Sequence, residues 1–140
     1  MGKHCKINIK EFVELQKKVK QLSKNDIDIF IQESTKELAS RLLAKTIKRT
    51  PVGQYNDHVG GTLRKGWTIG EITKTTTGYE IEIINPVVYS MYVEYGHRTP
   101  DHKGWVEGRF MLTISEEEIK NSAPAILEAK LNKMLKDVFQ

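Results

Sequence analysis

The run Lys65-Gly-Trp-Thr-Ile-Gly-Glu-Ile-Thr73, the turn Thr75-Thr-Thr-Gly78 and the run Tyr79-Glu-Ile-Glu-Ile-Ile84 decide the fold class. In the second run Tyr79, Ile81 and Ile83 alternate with Glu80 and Glu82, the period-two pattern of a strand with one wet face; only Ile84 breaks it. In the first, Trp67, Ile69 and Glu71 share a face. Glycine and threonine between them supply turn chemistry. The stretch predicts an antiparallel hairpin with strands over residues 65–73 and 79–84.

Both flanks switch to helical spacing. Upstream, Phe12, Leu15, Val19 and Leu22 mark a short amphipathic helix over 10–22. Ser23 with Asp26 makes an acidic version of the capping box, which opens a long helix over 24–49. Its stripe is Ile27, Phe30, Ile31, Leu38, Ala39 and Leu42; Ile29, Leu43 and Ile47 suggest a second covered face. Lys45, Lys48 and Arg49 suit the C-terminal end of the helix dipole. Thr50-Pro51 ends the helix, because the residue before proline disfavours the α region. Residues 52–63 read as a loop rich in turn formers.

Downstream, Asn85-Pro86 interrupts the pattern, and residues 87–95 fit either a strand or a short helix before Gly96. Residues 97–108 read as a polar loop, with a short strand at 108–111. Ser115 and Glu118 form a capping box, with Ile114 and Ile119 as a hydrophobic staple, for a helix reaching Phe139. Pro124 either kinks it or follows a fresh cap at Ser122. The expected architecture is α+β: one domain over 1–140, N-terminal helices, a central antiparallel sheet and a C-terminal helix.

A chain of 140 residues is long enough for one core without staples. The single cysteine, Cys5, excludes an internal disulfide and a multi-cysteine metal site. Residues 1–10 lack an apolar leader core, so no secretory signal is expected, and no run is long enough to span a membrane. Net charge is +4 but uneven: residues 1–65 carry 14 Lys/Arg against 7 Asp/Glu, and residues 66–140 carry 8 against 11. Such a split suits packing of a basic face on an acidic one.

No catalytic constellation emerges. His97, Asp101 and His102, with Asp57 or His58, lack the spacing of a zinc site, and neither His4 nor Cys5 has a partner motif. Gly60-Gly-Thr-Leu-Arg-Lys-Gly66 lacks the order of a phosphate loop. Glu80 and Glu82 are the wet face of a strand. Glu94, set in Tyr89-Ser-Met-Tyr-Val-Glu-Tyr-Gly-His-Arg98, is expected to seek Arg98, Arg64 or Arg109 in a structural or intersubunit salt bridge. The chain is expected to be no enzyme and to need no cofactor or metal. The alternative reading, a small DNA-binding accessory protein, rests on Arg41, Lys45, Lys48 and Arg49 along one helix and on Arg64-Lys65.

Taken in order, Thr50-Pro51-Val52, Gly61-Thr-Leu-Arg-Lys-Gly-Trp67, Tyr89 to Gly96, and Gly108-Arg-Phe-Met111 before a final helix resemble the gene-ten-product-like neck family of tailed phages and prophages. These are tail-completion, or head–tail joining, proteins. The likeness spans about residues 10–140. It implies a virion structural protein, assembled in the host cytoplasm. It further implies a homo-oligomeric ring, sixfold, between a head-connector or head-closure protein and a tail-terminator or tail-tube protein, with DNA passing through the lumen. On that footing Arg64, Trp67, Tyr92, Glu94 and Arg109 are the expected fold or interface anchors.

Overall fold

The computed structural model describes residues 9–20 and 22–139. Helix α1 (Ile9–Lys20) precedes α2 (Lys24–Arg49), whose ends fall where the sequence puts them. The Ser23 hydroxyl accepts the Asp26 N–H, and the Asp26 carboxylate accepts the Ser23 N–H, so two otherwise orphan donors are satisfied. At the other end the Thr50 N–H bonds back to Thr46 and Ile47 carbonyls before Pro51 turns the chain away.

The expected hairpin is present but broken into short pieces. Strand β1 (Thr68–Ile69) pairs antiparallel with β4 (Ile83–Ile84), and β2 (Thr73–Lys74) pairs with β3 (Tyr79–Glu80). Between the two ladders residues 70–72 face only 81–82, so the first strand carries one extra residue. The Gly70 N–H reaches the Glu82 carbonyl at 2.8 Å across this bulge. The hairpin closes at Gly78, whose carbonyl accepts the Thr75 N–H. Its tip is tied to α2: the Tyr79 hydroxyl donates to the Asp28 carboxylate at 2.7 Å and accepts from Gln32. That bond holds the Asp28 carboxyl below the usual carboxylate range.

Three segments differ from the sequence reading. Residues 62–66, divided there between loop and strand, form helix α3 (Thr62–Gly66), which delivers Leu63 and Trp67 to the core. Helix α4 (Ser90–Tyr95) settles the ambiguous segment in favour of helix; β5 (Gly96–Arg98) and β6 (Trp105–Glu107) then make a second hairpin where a polar loop was expected. The loop between them is knotted locally by Thr99 and Asp101, whose oxygens accept the Gly104 and Lys103 N–H groups. Finally, α5 (Met111–Phe139) begins four residues before Ser115. Ser115 is fully buried inside it and donates to the Met111 carbonyl, and Ile114 is exposed, so neither the capping box nor the staple forms. The helix runs through Pro124; the Ser122 hydroxyl bonds back to Glu118 rather than capping a new helix.

Helices α2 and α5 lie antiparallel, tied by Glu37–Lys130 at the middle of α2 and by Arg49 and Lys45 on Glu118 near its C-terminal end. The core sits at that C-terminal end. Leu63, Trp67 and Met111 are its buried centre, with Leu43, Ile47, Ile83, Val87, Val93 and Leu112 packed around them. The α2 face that meets the core is therefore the one marked by Leu43 and Ile47. Ile27 and Ile31 of the expected stripe are exposed, because the hairpin and α5 cover the opposite side of that turn. Phe12, Leu15 and Val19 of the expected α1 stripe, like His4 and Cys5, lie outside the residues whose side chains are described.

Candidate assembly interface

Thr50 organises the region around which the expected anchors gather. Its side chain is fully buried, and its hydroxyl donates to the Thr46 carbonyl at 2.7 Å while accepting the Trp67 indole N–H at 2.7 Å. Its carbonyl accepts both Nε and Nη2 of Arg64, at 2.9 and 2.6 Å. Two of the sequence-selected residues thus face inward, onto the last turn of α2. The sequence signals Thr50 only as a helix stop before proline, and nothing in its spacing announces the second role.

Glu94 is 6% exposed, and no arginine of the described residues pairs with it. Its carboxylate instead accepts the Leu112 N–H at 3.0 Å, the Thr113 N–H at 2.8 Å and the Thr113 hydroxyl at 2.7 Å. These amides are unpaired donors in the first turn of α5, and the positive end of the helix dipole favours an anion there. A carboxylate from another element replaces the local serine cap the sequence suggested. Local backbone geometry makes this reach possible. Gly96 has φ 90°, and a Cβ there would sit 2.5 Å from the Val106 carbonyl. At Gly108 a Cβ would lie 2.4 Å from the Glu94 carbonyl. Only glycine lets β6 and α4 approach this closely. Arg109 and Phe110 then donate backbone N–H groups to Val93 and Glu94.

The outer face of the same region is apolar and open. Met91, Tyr92, Tyr95 and Trp105 are each more than half exposed, and Val88 is 92% exposed. Tyr92 touches His97 edge-on and Tyr95 touches Phe110 in the same manner. Beside this face a groove of about 350 Å³ separates α4 from the glycine loop, lined by Leu63, Tyr89, Val93 and Arg109 and by Tyr55 stacked on His58. The Arg109 side chain has no hydrogen bond or ion pair among the described residues. Aromatic residues and arginine grouped around an apolar patch are the composition of a protein–protein contact.

The basic cluster on α2 has a different environment from the one a nucleic-acid reader needs. Arg41 pairs with Glu37, and Lys45 and Arg49 converge on Glu118. Glu118, held first by Arg49 and then by Lys45, has its pKa lowered to about 2. Three of the four cations are thus engaged within the subunit. Among the described residues, no three His, Cys, Asp or Glu converge to hold a metal, and no helix is long and apolar enough to cross a membrane. Among the described residues, the His58 ring hydrogen-bonds its neighbour Asp57, and the His97 ring the Arg98 carbonyl.

A family model for the bacteriophage HK97-gp10-like tail component matches residues 13–96, from α1 through the hairpin and α4. The match ends before β6 and α5, so the Gly108–Met111 landmark and the final helix lie beyond it. No curated protein and no solved structure matches the chain. With more than half of its length matched, the chain belongs to the HK97-gp10-like family of bacteriophage tail components.

Proposed function

We propose that the chain is a neck subunit that joins head to tail, one copy of a closed ring, sixfold as the family resemblance implies, through which DNA passes. Its neighbours along the particle axis are a head-connector or head-closure protein and a tail-terminator or tail-tube protein. Arg64, Trp67 and Glu94 hold the subunit's fold; Tyr92 and Arg109 face other chains.

The observation that carries this reading is surface. Met91, Tyr92, Tyr95 and Trp105, each more than half exposed, are gathered on α4 and the β5–β6 hairpin. A subunit that completes its burial by association has this form.

Deletion of the gene in its phage or prophage, followed by electron microscopy of induced particles, tests the proposal. DNA-filled heads lying apart from tails are expected. Normally joined, infectious particles would overturn it.

A further inference from the structure

Residues 88–110 carry α4 and the second hairpin, and with them Met91, Tyr92, Tyr95 and Trp105. Their hydrogen bonds fall into two sets. One set is internal. Strands β5 and β6 pair with each other, the Gly96 N–H bonds to the Tyr92 carbonyl, and the Arg109 and Phe110 N–H groups return to Val93 and Glu94. Thr99, Asp101, Lys103 and Gly104 close the hairpin tip on itself. The other set joins the segment to the rest of the chain, and it is small. At the two chain joints the Ser90 N–H bonds to the Val87 carbonyl and the Ile114 N–H to the Phe110 carbonyl. Beyond these, among the described residues, each hydrogen bond across the boundary ends on one group, the Glu94 carboxylate, which accepts from Leu112 and Thr113. No ion pair of the described residues crosses it. The segment's apolar tie is Val93, which packs against the core of Leu63, Trp67 and Met111.

The joint with α5 is also strained. Phe110 has φ 47°, a left-handed conformation that a residue with a side chain adopts at a cost. We propose that residues 88–110 are an arm that turns as one body about Val87 and Phe110, with the Glu94 carboxylate as its latch. Latched, the arm holds its aromatic face at one angle to α5. Unlatched, it swings with its own bonds intact, and the angle at which Tyr92 and Trp105 meet another chain changes. Elements that move are those with few ties to their surroundings, and a pivot needs only a few residues that absorb the dihedral change. The device belongs to the single chain; it goes beyond the neck reading and does not rest on it.

Distances between pairs of nitroxide labels, measured by pulsed electron resonance on the full chain, test this. In a Cys5→Ser background, labels at Lys103→Cys and Lys48→Cys span arm and body, and labels at Lys103→Cys and Met91→Cys lie within the arm. With Glu94 present each pair should give one narrow distance. Glu94→Gln should raise the open population roughly tenfold, seen as a second Lys103–Lys48 distance, while the Lys103–Met91 distance stays as it was. The Arg109 and Phe110 amides should keep their protection from hydrogen exchange in the same variant. Thr113→Val removes only the hydroxyl bond; it should act in the same direction to a smaller extent, and it decides the matter if Glu94→Gln does not fold. Broadening of both distances would show that Glu94 holds the arm's own fold rather than its angle, and would overturn the proposal. So would a Lys103–Lys48 distance that neither variant changes. Both results leave the neck reading untouched.

Discussion

Glu94 and Thr113 are bound twice: the carboxylate accepts the threonine's backbone N–H at 2.8 Å and its hydroxyl at 2.7 Å. One buried side chain thereby fixes the angle between the α4–hairpin unit and the long final helix. Replacing Glu94 with alanine strands two amide donors in a site closed to water. The expected cost is about 2 kcal/mol, seen as a Tm lower by roughly 6 °C. Glu94→Gln retains one acceptor and should lose less. An unchanged Tm for Glu94→Ala would show that water replaces the carboxylate.

Thr50 and Trp67 make a second pair whose loss is separable from packing. Thr50→Val keeps the shape but removes the acceptor of a buried indole N–H, at an expected cost of about 1–3 kcal/mol. Thr50→Ser keeps the hydroxyl and should cost less than half as much. Trp67→Phe in the Thr50→Val background should cost less than the two single changes together, because no donor is then left unpaired. A double-mutant cycle from denaturant melts measures this coupling.

The pH dependence of stability centres on Glu118. Its folded pKa, about 2, lies below its ordinary value of 4.5, with Arg49 as the first cause and Lys45 as the second. A group whose folded pKa is depressed contributes stability that is fully present above the ordinary value and is lost as pH falls through the folded one. Wild-type Tm should therefore exceed that of Glu118→Gln at pH 7. The gap should narrow between pH 4.5 and pH 2. A gap of constant size across that window would show that the carboxylate's charge is not what matters.

The exposed aromatics predict a split between stability and assembly. Tyr92→Ala and Trp105→Ala remove side chains that are more than half exposed, so each Tm should stay within about 2 °C of wild type. Incorporation into particles should fall at least tenfold for Trp105→Ala, as loss of an interface anchor does. Stable protein that still assembles normally would place the contact elsewhere.

Legibility in the sequence followed the range of the interactions. The ends of α2 could be read to the residue because each is set locally: Ser23 pairs with Asp26 within the first turn, and Thr50 bonds back to Thr46 and Ile47 before Pro51. The first hairpin was readable from alternation, but its bulge was not, since one extra residue between Ile69 and Thr73 leaves no compositional mark. Helix α3 was hidden by the glycines around it, Gly60 and Gly61 before it and Gly66 at its end. The start of α5 was misread because its cap comes from Glu94, about a full hairpin earlier in the chain, while Ser115 and Glu118 supplied a plausible local signal and do other work. Of the site, the composition of the aromatic segment was visible; which side chains turn inward to Thr50 and which outward was settled only by the fold.

The ion pairs between α2 and α5, Glu37 with Lys130 and Glu118 with Arg49 and Lys45, fall on the C-terminal half of α2. From Glu37 to Arg49 is roughly 18 Å at 1.5 Å of rise per residue. The N-terminal half leans instead on the first hairpin, through Asp28 and Gln32 on the Tyr79 hydroxyl. One helix thus works as a beam with two different supports, and a shift of the hairpin tip is felt at α5 only through that beam.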